Sequence, residues 1–344
     1  MKKFVISILM IAVLALSAAQ VMAQDAAPVK IGALSMLNLT EEQYAAISNS
    51  RLLAYNYLMD QGVLQAAAPV PSEIPAFKIE YYDTLDAMLM SLQSGSIQMF
   101  FIPQTTGEYL CANNDRLFMP YTIDYDKADR LIYQDLIRRS GSGYSFMMLE
   151  DQTELQEQFN NTITAMEQDG TLETLQQKYI NDVISGSAIE AIEFEKFDGD
   201  PIRVAVTGSL PPMDYVAPDG TFAGFNTALL SEIGKRLERN IELVQVDSLG
   251  RAAALVSGKV DVVFWTQTTP FSWMSVEERM ANAIERAAER DANFTEEEKE
   301  LWQAITVARG ISRDNDANQD MPEGTIVTKQ YLQDAIIFVM LKAE

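Results

Sequence analysis

Short apolar runs alternate with amphipathic stretches along this chain, and the alternation predicts strands interleaved with helices. The run 29–34 reads as a buried strand, and so do 77–82 and 97–102. Between the last two, 85–92 carries a helical stripe that stops at Ser94-Gly95. Thr40 with Gln43, and Thr105 with Glu108, have the spacing of capping boxes and predict helix starts. Residues 66–76, rich in Ala and Pro, read as a loop, and 113–142 carry no clear period. A strand over 144–149 is followed by two helices over 155–180, broken at Asp169-Gly170. Residues 181–200, small and acidic, read as a linker. The pattern then restarts. A strand over 202–207 leads through Pro211-Pro212 and the turn Pro218-Asp219-Gly220 to a helix with Asn226 as N-cap. Leu229, Leu230, Ile233 and Leu237 line one face of that helix. Strand 241–246, helix 249–256 and strand 260–265 follow. A charged helical stretch over 275–307 is predicted to break near Asn293-Phe294-Thr295, where Thr295 and Glu298 form another capping box. Residues 335–341 read as a last strand. This order predicts an α/β fold, mostly parallel sheet with helices packed on it.

One stretch of the pattern occurs twice. Asp83-Thr84-Leu85 leads to Leu92-Gln93-Ser94-Gly95-Ser96-Ile97-Gln98, and Asp247-Ser248-Leu249 leads to Leu255-Val256-Ser257-Gly258-Lys259-Val260-Asp261. Each copy runs through an apolar stretch into Gln-Thr-Thr, at 104–106 and 267–269, with the same spacing from the glycine. Two similar α/β lobes are thereby predicted, and a cleft between lobes is a usual place for a ligand.

Composition narrows the chemistry. Lys2-Lys3, the apolar run 4–19 and Val21-Met22-Ala23 predict a cleavable signal peptide over 1–23 and a periplasmic location. No cysteine follows the run, so no lipid anchor is expected. Losing Lys2 and Lys3 takes the net charge from −23 to −25, a field that disfavours nucleic acid as a partner. The chain has no histidine and one cysteine, Cys111. Imidazole or thiolate metal centres, Ser-His-Asp catalysis and an intramolecular disulfide are excluded on that ground. No spaced Asp loop of the calcium type is present, so neither metal nor cofactor is expected.

Residues 202–265 resemble the opening of the family 3 bacterial extracellular solute-binding proteins, the periplasmic receptors of amino-acid ABC importers. The resemblance rests on the strand 202–207, Pro211-Pro212-Met213-Asp214-Tyr215, Asp219-Gly220, Gly224-Phe225-Asn226 with Leu229, and 255–261. Tyr81 to Leu85 and 92–97 resemble the family's second lobe, and Asp169 to Leu172 with Lys178-Tyr179-Ile180 its C-terminal helix. The resemblance implies a circularly permuted, two-lobed, type II periplasmic binding fold. One lobe spans 28–148 and the other 149–344, with the linker at 181–200 and a helical insertion at 275–320. A single covalent crossing is expected near 145–150. Two degenerate receptors in tandem are the rival reading, for which each half is short.

In that family the ligand lies between the lobes, held by loops at strand ends and by helix N-termini. The matching positions are Met213, Asp214 and Tyr215, then Thr266, Gln267, Thr268 and Thr269. From the other lobe come Leu37, Asn38, Leu39 and Thr40, with Gln104, Thr105 and Thr106. Each position also suits ordinary loop or capping chemistry. Trp265 and Trp273 are candidates to stack on a ligand or simply to fill core. The family's carboxylate-binding arginine falls on Ser272 and its amino-group-binding aspartate on Pro103; Arg279 is the remaining candidate for the arginine. A zwitterion would then be poorly paired, which is costly when buried. The resemblance implies a monomeric binding protein that captures a small polar solute, amino-acid-like or related, between its lobes and hands it to an ABC permease or membrane sensor. A degenerate interaction protein is the alternative, and a dehydratase-like enzyme a third, without a carboxylate pair to carry it.

Overall fold

The computed structural model describes residues 28–35, 77–119, 143–188, 191–216, 220–247, 250–268, 273–313, 322–334 and 336–342, with isolated residues between 41 and 61. The signal peptide, the Thr40 capping box, the loop at 66–76, Pro218-Asp219 and Ser272 lie outside the described residues.

The first sheet has the order β2-β1-β3-β14-β4. Its strands are β1 (Val29–Leu34), β2 (Phe77–Tyr82), β3 (Met99–Pro103), β4 (Leu117–Phe118) and β14 (Ile336–Leu341). β1 runs parallel to β2 and β3; β14 runs antiparallel to β3 and β4. Helix α1 (Leu85–Gln93) connects β2 to β3, and α2 (Gln104–Asn113) follows β3. Thr84 caps α1, its hydroxyl accepting from Ala87 N at 3.3 Å.

The second sheet has the same order in other strands, β10-β6-β11-β5-β12. These are β5 (Gly143–Leu149), β6 (Ile202–Val206), β10 (Ile241–Gln245), β11 (Val262–Thr268) and β12 (Thr325–Val327). β6 is parallel to β10 and β11, and β5 is antiparallel to β11 and β12. β13 (Leu332–Gln333) also pairs with β5. Helices α3 (Thr153–Gln168) and α4 (Thr171–Gln176) precede β6. α5 (Phe225–Leu237) precedes β10, and α6 (Gly250–Val256) precedes β11. A small antiparallel sheet, β7 (Ser209–Leu210), β8 (Asp214–Val216) and β9 (Phe222–Ala223), lies between β6 and α5 in the chain.

The repeat read from the sequence is a repeated piece of architecture. Gly95 and Gly258 have φ of +75° and +71°, the left-handed conformation that ends α1 and α6. Their N–H groups donate to Leu92 O at 3.1 Å and Leu255 O at 2.9 Å. Lys30 N donates to Gln98 Oε1 and Arg203 N to Asp261 Oδ2, both at 2.8 Å. The copies diverge at Gln-Thr-Thr. Gln104 to Thr106 opens α2, whereas Gln267 and Thr268 stay in β11, opposite Tyr144 and Gly143 of β5.

One cluster of buried apolar side chains runs through both sheets, from Phe100 and Ile102 to Phe146, Phe225 and Phe264. Phe146 meets Phe159 edge-on at 5.1 Å and Tyr331 at 4.6 Å. The insertion is two helices, α7 (Val276–Asn293) and α8 (Glu296–Arg313). Both begin with reciprocal capping boxes. Glu278 N donates to Ser275 Oγ at 3.2 Å and Ser275 N to Glu278 Oε2 at 2.8 Å; Thr295 and Glu298 repeat the exchange at 3.2 and 3.0 Å.

Four expectations are corrected. β5 was expected to close the first lobe but pairs in the second sheet, and β14 returns to the first. The chain therefore passes between sheets twice, between β4 and β5 and again between β13 and β14, not once near 145–150. Strand pairing uses backbone groups that every residue carries, so the apolar pattern of a strand does not name its sheet. The stretch 181–200 is not a loose linker. Asn240 holds it, donating to Phe197 O at 2.6 Å and Gly199 O at 3.0 Å, and Ala191 bridges Ala223. Gly224, at φ +99°, takes the N-cap position expected of Asn226. A Cβ there would stand 2.6 Å from Pro212 O and 2.8 Å from Met213 O, so the backbone approaches too closely for a side chain. Thr105 does not cap α2, which starts at Gln104 with Pro103 as N-cap and no side-chain cap from it.

Candidate functional site

β6 is the strand at which the order of the second sheet reverses. The chain leaves it through α5 to β10 on one side and then through α6 to β11 on the other. The crevice at the C-terminal ends of β6 and β11 is thus a topological switch point, where open α/β sheets bind ligands.

Four polar side chains are buried around that crevice. Asp214 of β8 is 1% exposed. Its Oδ2 accepts from Thr207 N at 2.9 Å, Thr207 Oγ1 at 2.6 Å and Gly208 N at 2.6 Å, just past the end of β6. Its Oδ1 has no hydrogen-bond partner. Burial pushes the Asp214 carboxyl above its ordinary value, against the pull of these three donors and of the nearby Arg251 charge. Arg251 on α6 is itself buried and donates to Phe264 O at 3.1 Å. Asn226 stands in the first turn of α5, its N–H donating to Met213 O at 3.0 Å. Among the described residues, neither atom of its side-chain amide has a partner. Thr266 is fully buried with an unpaired hydroxyl. Val263 pairs with Ala205, so Thr266 reaches past Val206, the last residue of β6.

The equivalent end of the first sheet is built from β1, β3 and α2. Ser35 Oγ donates to Asp83 Oδ1 at 2.9 Å. Gln104 Nε2 donates to Glu108 Oε1 at 2.8 Å, and Thr105 N donates to both carboxylate oxygens of Asp334, at 3.3 and 3.4 Å. Thr106 Oγ1 is buried without a partner. Burial raises the Tyr109 phenol, and the nearby Tyr215 raises it further. Among the described residues no group of three or more His, Cys, Asp or Glu could hold a metal, and no helix is long and apolar enough to cross a membrane.

The positions singled out in the sequence divide as follows. Asp214 lies at the C-terminal end of β6, bound to Thr207 and Gly208; Tyr215 follows it in β8, and Thr266 stands near the C-terminal end of β11. Met213 is packed wholly into the core. Thr268 is buried in hydrogen bonds, to Ser145 Oγ at 2.8 Å and from Gln330 Nε2 to its carbonyl at 2.8 Å. Gln267 is a β11 residue, and Gln104 and Thr105 open α2. Asn38, Leu39, Thr40 and Thr269 lie outside the described residues. Trp273 packs on the cluster around Met147 and Val263. Sequence reasoning missed Asn226 as more than a cap, and Arg251 and Asp334 altogether. A lone aspartate against the apolar run 336–341 was the one signal for Asp334.

Residues 202–270 match the model of bacterial extracellular solute-binding proteins, family 3. That stretch holds Asp214, Asn226, Arg251 and Thr266. No curated protein matches the chain. Among solved structures, the ligand-binding component of an ABC-type import system from Staphylococcus aureus, with zinc bound, is 9% identical, with TM-score 0.35. The match covers 92% of this chain and 66% of that one. The VFT2 domain of Bordetella pertussis BvgS is 12% identical with TM-score 0.35, covering 91% of this chain and 80% of that one. The alkanesulfonate-binding protein SsuA from Xanthomonas axonopodis, bound to MOPS, is 10% identical with TM-score 0.30, covering 89% and 88%.

Proposed function

We propose that this chain is an exported solute-binding protein. Its solute binds at the C-terminal ends of β6 and β11, against Asp214, Asn226 and Thr266. One observation carries the reading: among the described residues, every buried side-chain polar atom lacking a partner, Thr106 Oγ1 apart, falls within the stretch that matches the solute-binding family. A buried, unmade hydrogen bond costs about 1–3 kcal/mol, so such atoms call for a partner supplied from outside. The solute is small and polar, and not a standard zwitterionic amino acid, because Ser272 and Pro103 stand where the family's charged partners would be. Residues 1–23 are a signal peptide, the protein works as a periplasmic monomer, and an ABC permease or membrane sensor reads its loaded form. The halves are read as circularly permuted relative to the family, a reading supported by the family match lying in the second half of the chain, at residues 202–270. An identical strand order in both sheets fits this, because exchanging the halves leaves that order unchanged. The reading assigns no catalysis.

A thermal-shift screen of the mature protein against amino acids, short peptides, nucleosides and organic acids tests it. Saturation at a hundredfold excess over Kd stabilises the native state by about 2.7 kcal/mol. A shift from one class that disappears in Asp214→Asn is the expected result. No shift from any class, in a protein that is folded, leaves the degenerate interaction protein as the better reading.

A further inference from the structure

Asp334 stands directly after β13, which pairs in the second sheet, and two residues before β14, which pairs in the first. It is 3% exposed, a carboxylate carried by the passage between sheets. Both of its oxygens accept from Thr105 N, at 3.3 and 3.4 Å, across 229 positions of sequence.

α2 needs such a partner. The first N–H groups of a helix have no acceptor within it, and they gather the positive end of its dipole. Pro103, at the N-cap position, has no side-chain group to offer, and the opening residues Gln104, Thr105, Thr106 and Gly107 are buried. Gly107 fixes the arrangement. A Cβ there would stand 2.8 Å from Ile337 Cδ1, so the first turn of α2 lies against β14 just beyond Asp334. In the same turn Thr106 carries a fully buried hydroxyl with no partner. The second sheet is built differently: α5 has Gly224 as its N-cap, and Phe225 and Asn226 in its first turn donate their N–H groups to Pro212 O and Met213 O.

We propose that Asp334 is a built-in anion that fills the N-terminal end of α2, closing that helix end to external anions and tying the second passage between sheets to the first sheet. This inference does not depend on the solute-binding reading. The two ends of the molecule thereby differ in chemistry. The α2 end is occupied by the chain's own carboxylate, while the α5 end presents an unpaired amide.

The test uses the whole mature chain and its Asp334→Ala variant. Thermal unfolding is followed in sodium acetate and in sodium sulfate, each against sodium chloride at matched ionic strength. In Asp334→Ala the unfolding midpoint is expected to fall, and acetate or sulfate to restore part of the loss saturably. The unaltered protein is expected to gain nothing beyond the chloride control. An equal saturable gain in the unaltered protein, or none in a folded Asp334→Ala, overturns the proposal. Where Asp334→Ala does not fold, the near-isosteric Asp334→Asn decides by hydrogen exchange. Faster exchange at the Thr105 amide, with β3 and β6 unchanged, supports the proposal, and unaltered exchange at Thr105 overturns it.

Discussion

Replacing Asn226 with leucine separates a ligand-facing amide from a structural one. Asn226 is 1% exposed, and both the Oδ1 and Nδ2 atoms lack partners. Leucine has a similar volume and no polar atom, so the substitution removes two buried, unmade hydrogen-bonding groups without opening a large cavity. Each such group costs about 1–3 kcal/mol when left unpaired. The backbone bond from Asn226 N to Met213 O at 3.0 Å is retained, because it does not involve the side chain. Misfit of the branched side chain in a close-packed site costs up to about 1.5 kcal/mol. The balance predicts that solute-free Asn226→Leu is more stable than the parent by about 0.5–6 kcal/mol, while solute binding is lost. Urea unfolding checks this: the midpoint should rise at constant m-value, since the exposed surface on unfolding is nearly unchanged. A clear fall in the midpoint would refute the reasoning. It would mean that the amide is paired in the solute-free state, for instance by an ordered water, and is part of the scaffold.

The two helix-ending glycines offer a matched pair. A Cβ at Gly95 or Gly258 meets nothing within 4 Å, so alanine there costs backbone strain alone, about 1 kcal/mol each, and the double variant should lose the sum; a coupled loss in denaturant unfolding would show the turns are not independent. Asp169 has a carboxyl pKa of about 2, lowered from 3.8 by hydrogen bonds from Thr171 and Arg236. Its folded pKa is below its unfolded one, so its contribution is fully present above pH ~4 and lost as pH falls through about 2. Asp169→Asn should flatten the acid limb of the stability curve in that window, and an unchanged limb would count against the assignment. Asp214 has the opposite sign: burial raises its carboxyl, so its ionisation weakens the folded state as pH rises above the unfolded value of 3.8.

Much of the fold was legible. Residues 29–34 and 77–82 are strands with the expected bounds, and the break at Asp169-Gly170 holds because Gly170 turns at φ +77°. The capping box at Thr295 closes as its spacing predicted. These features depend on neighbours within a few positions, and side-chain period and turn chemistry write them into the chain. The candidate site is legible only in part: the resemblance points to Asp214 and Thr266, while nothing local in the sequence distinguishes Asn226 from a helix cap.

The sequence by itself determined the element types, the doubled unit and the exclusion of imidazole or thiolate metal centres and of Ser-His-Asp catalysis, because these follow from composition and local period. The tertiary structure decided which strand joins which sheet, moving β5 into the second and β14 into the first. It also decided that Gly224 and not Asn226 takes the N-cap position, and that the donor at Thr105 meets Asp334 rather than its own capping box. The physical reason is common to all three. A backbone N–H takes whichever acceptor the packed chain brings within reach, and burial makes leaving it unpaired costly. Which acceptor arrives from 229 positions away is settled by packing, as at Gly107 against Ile337, and not by spacing along the chain.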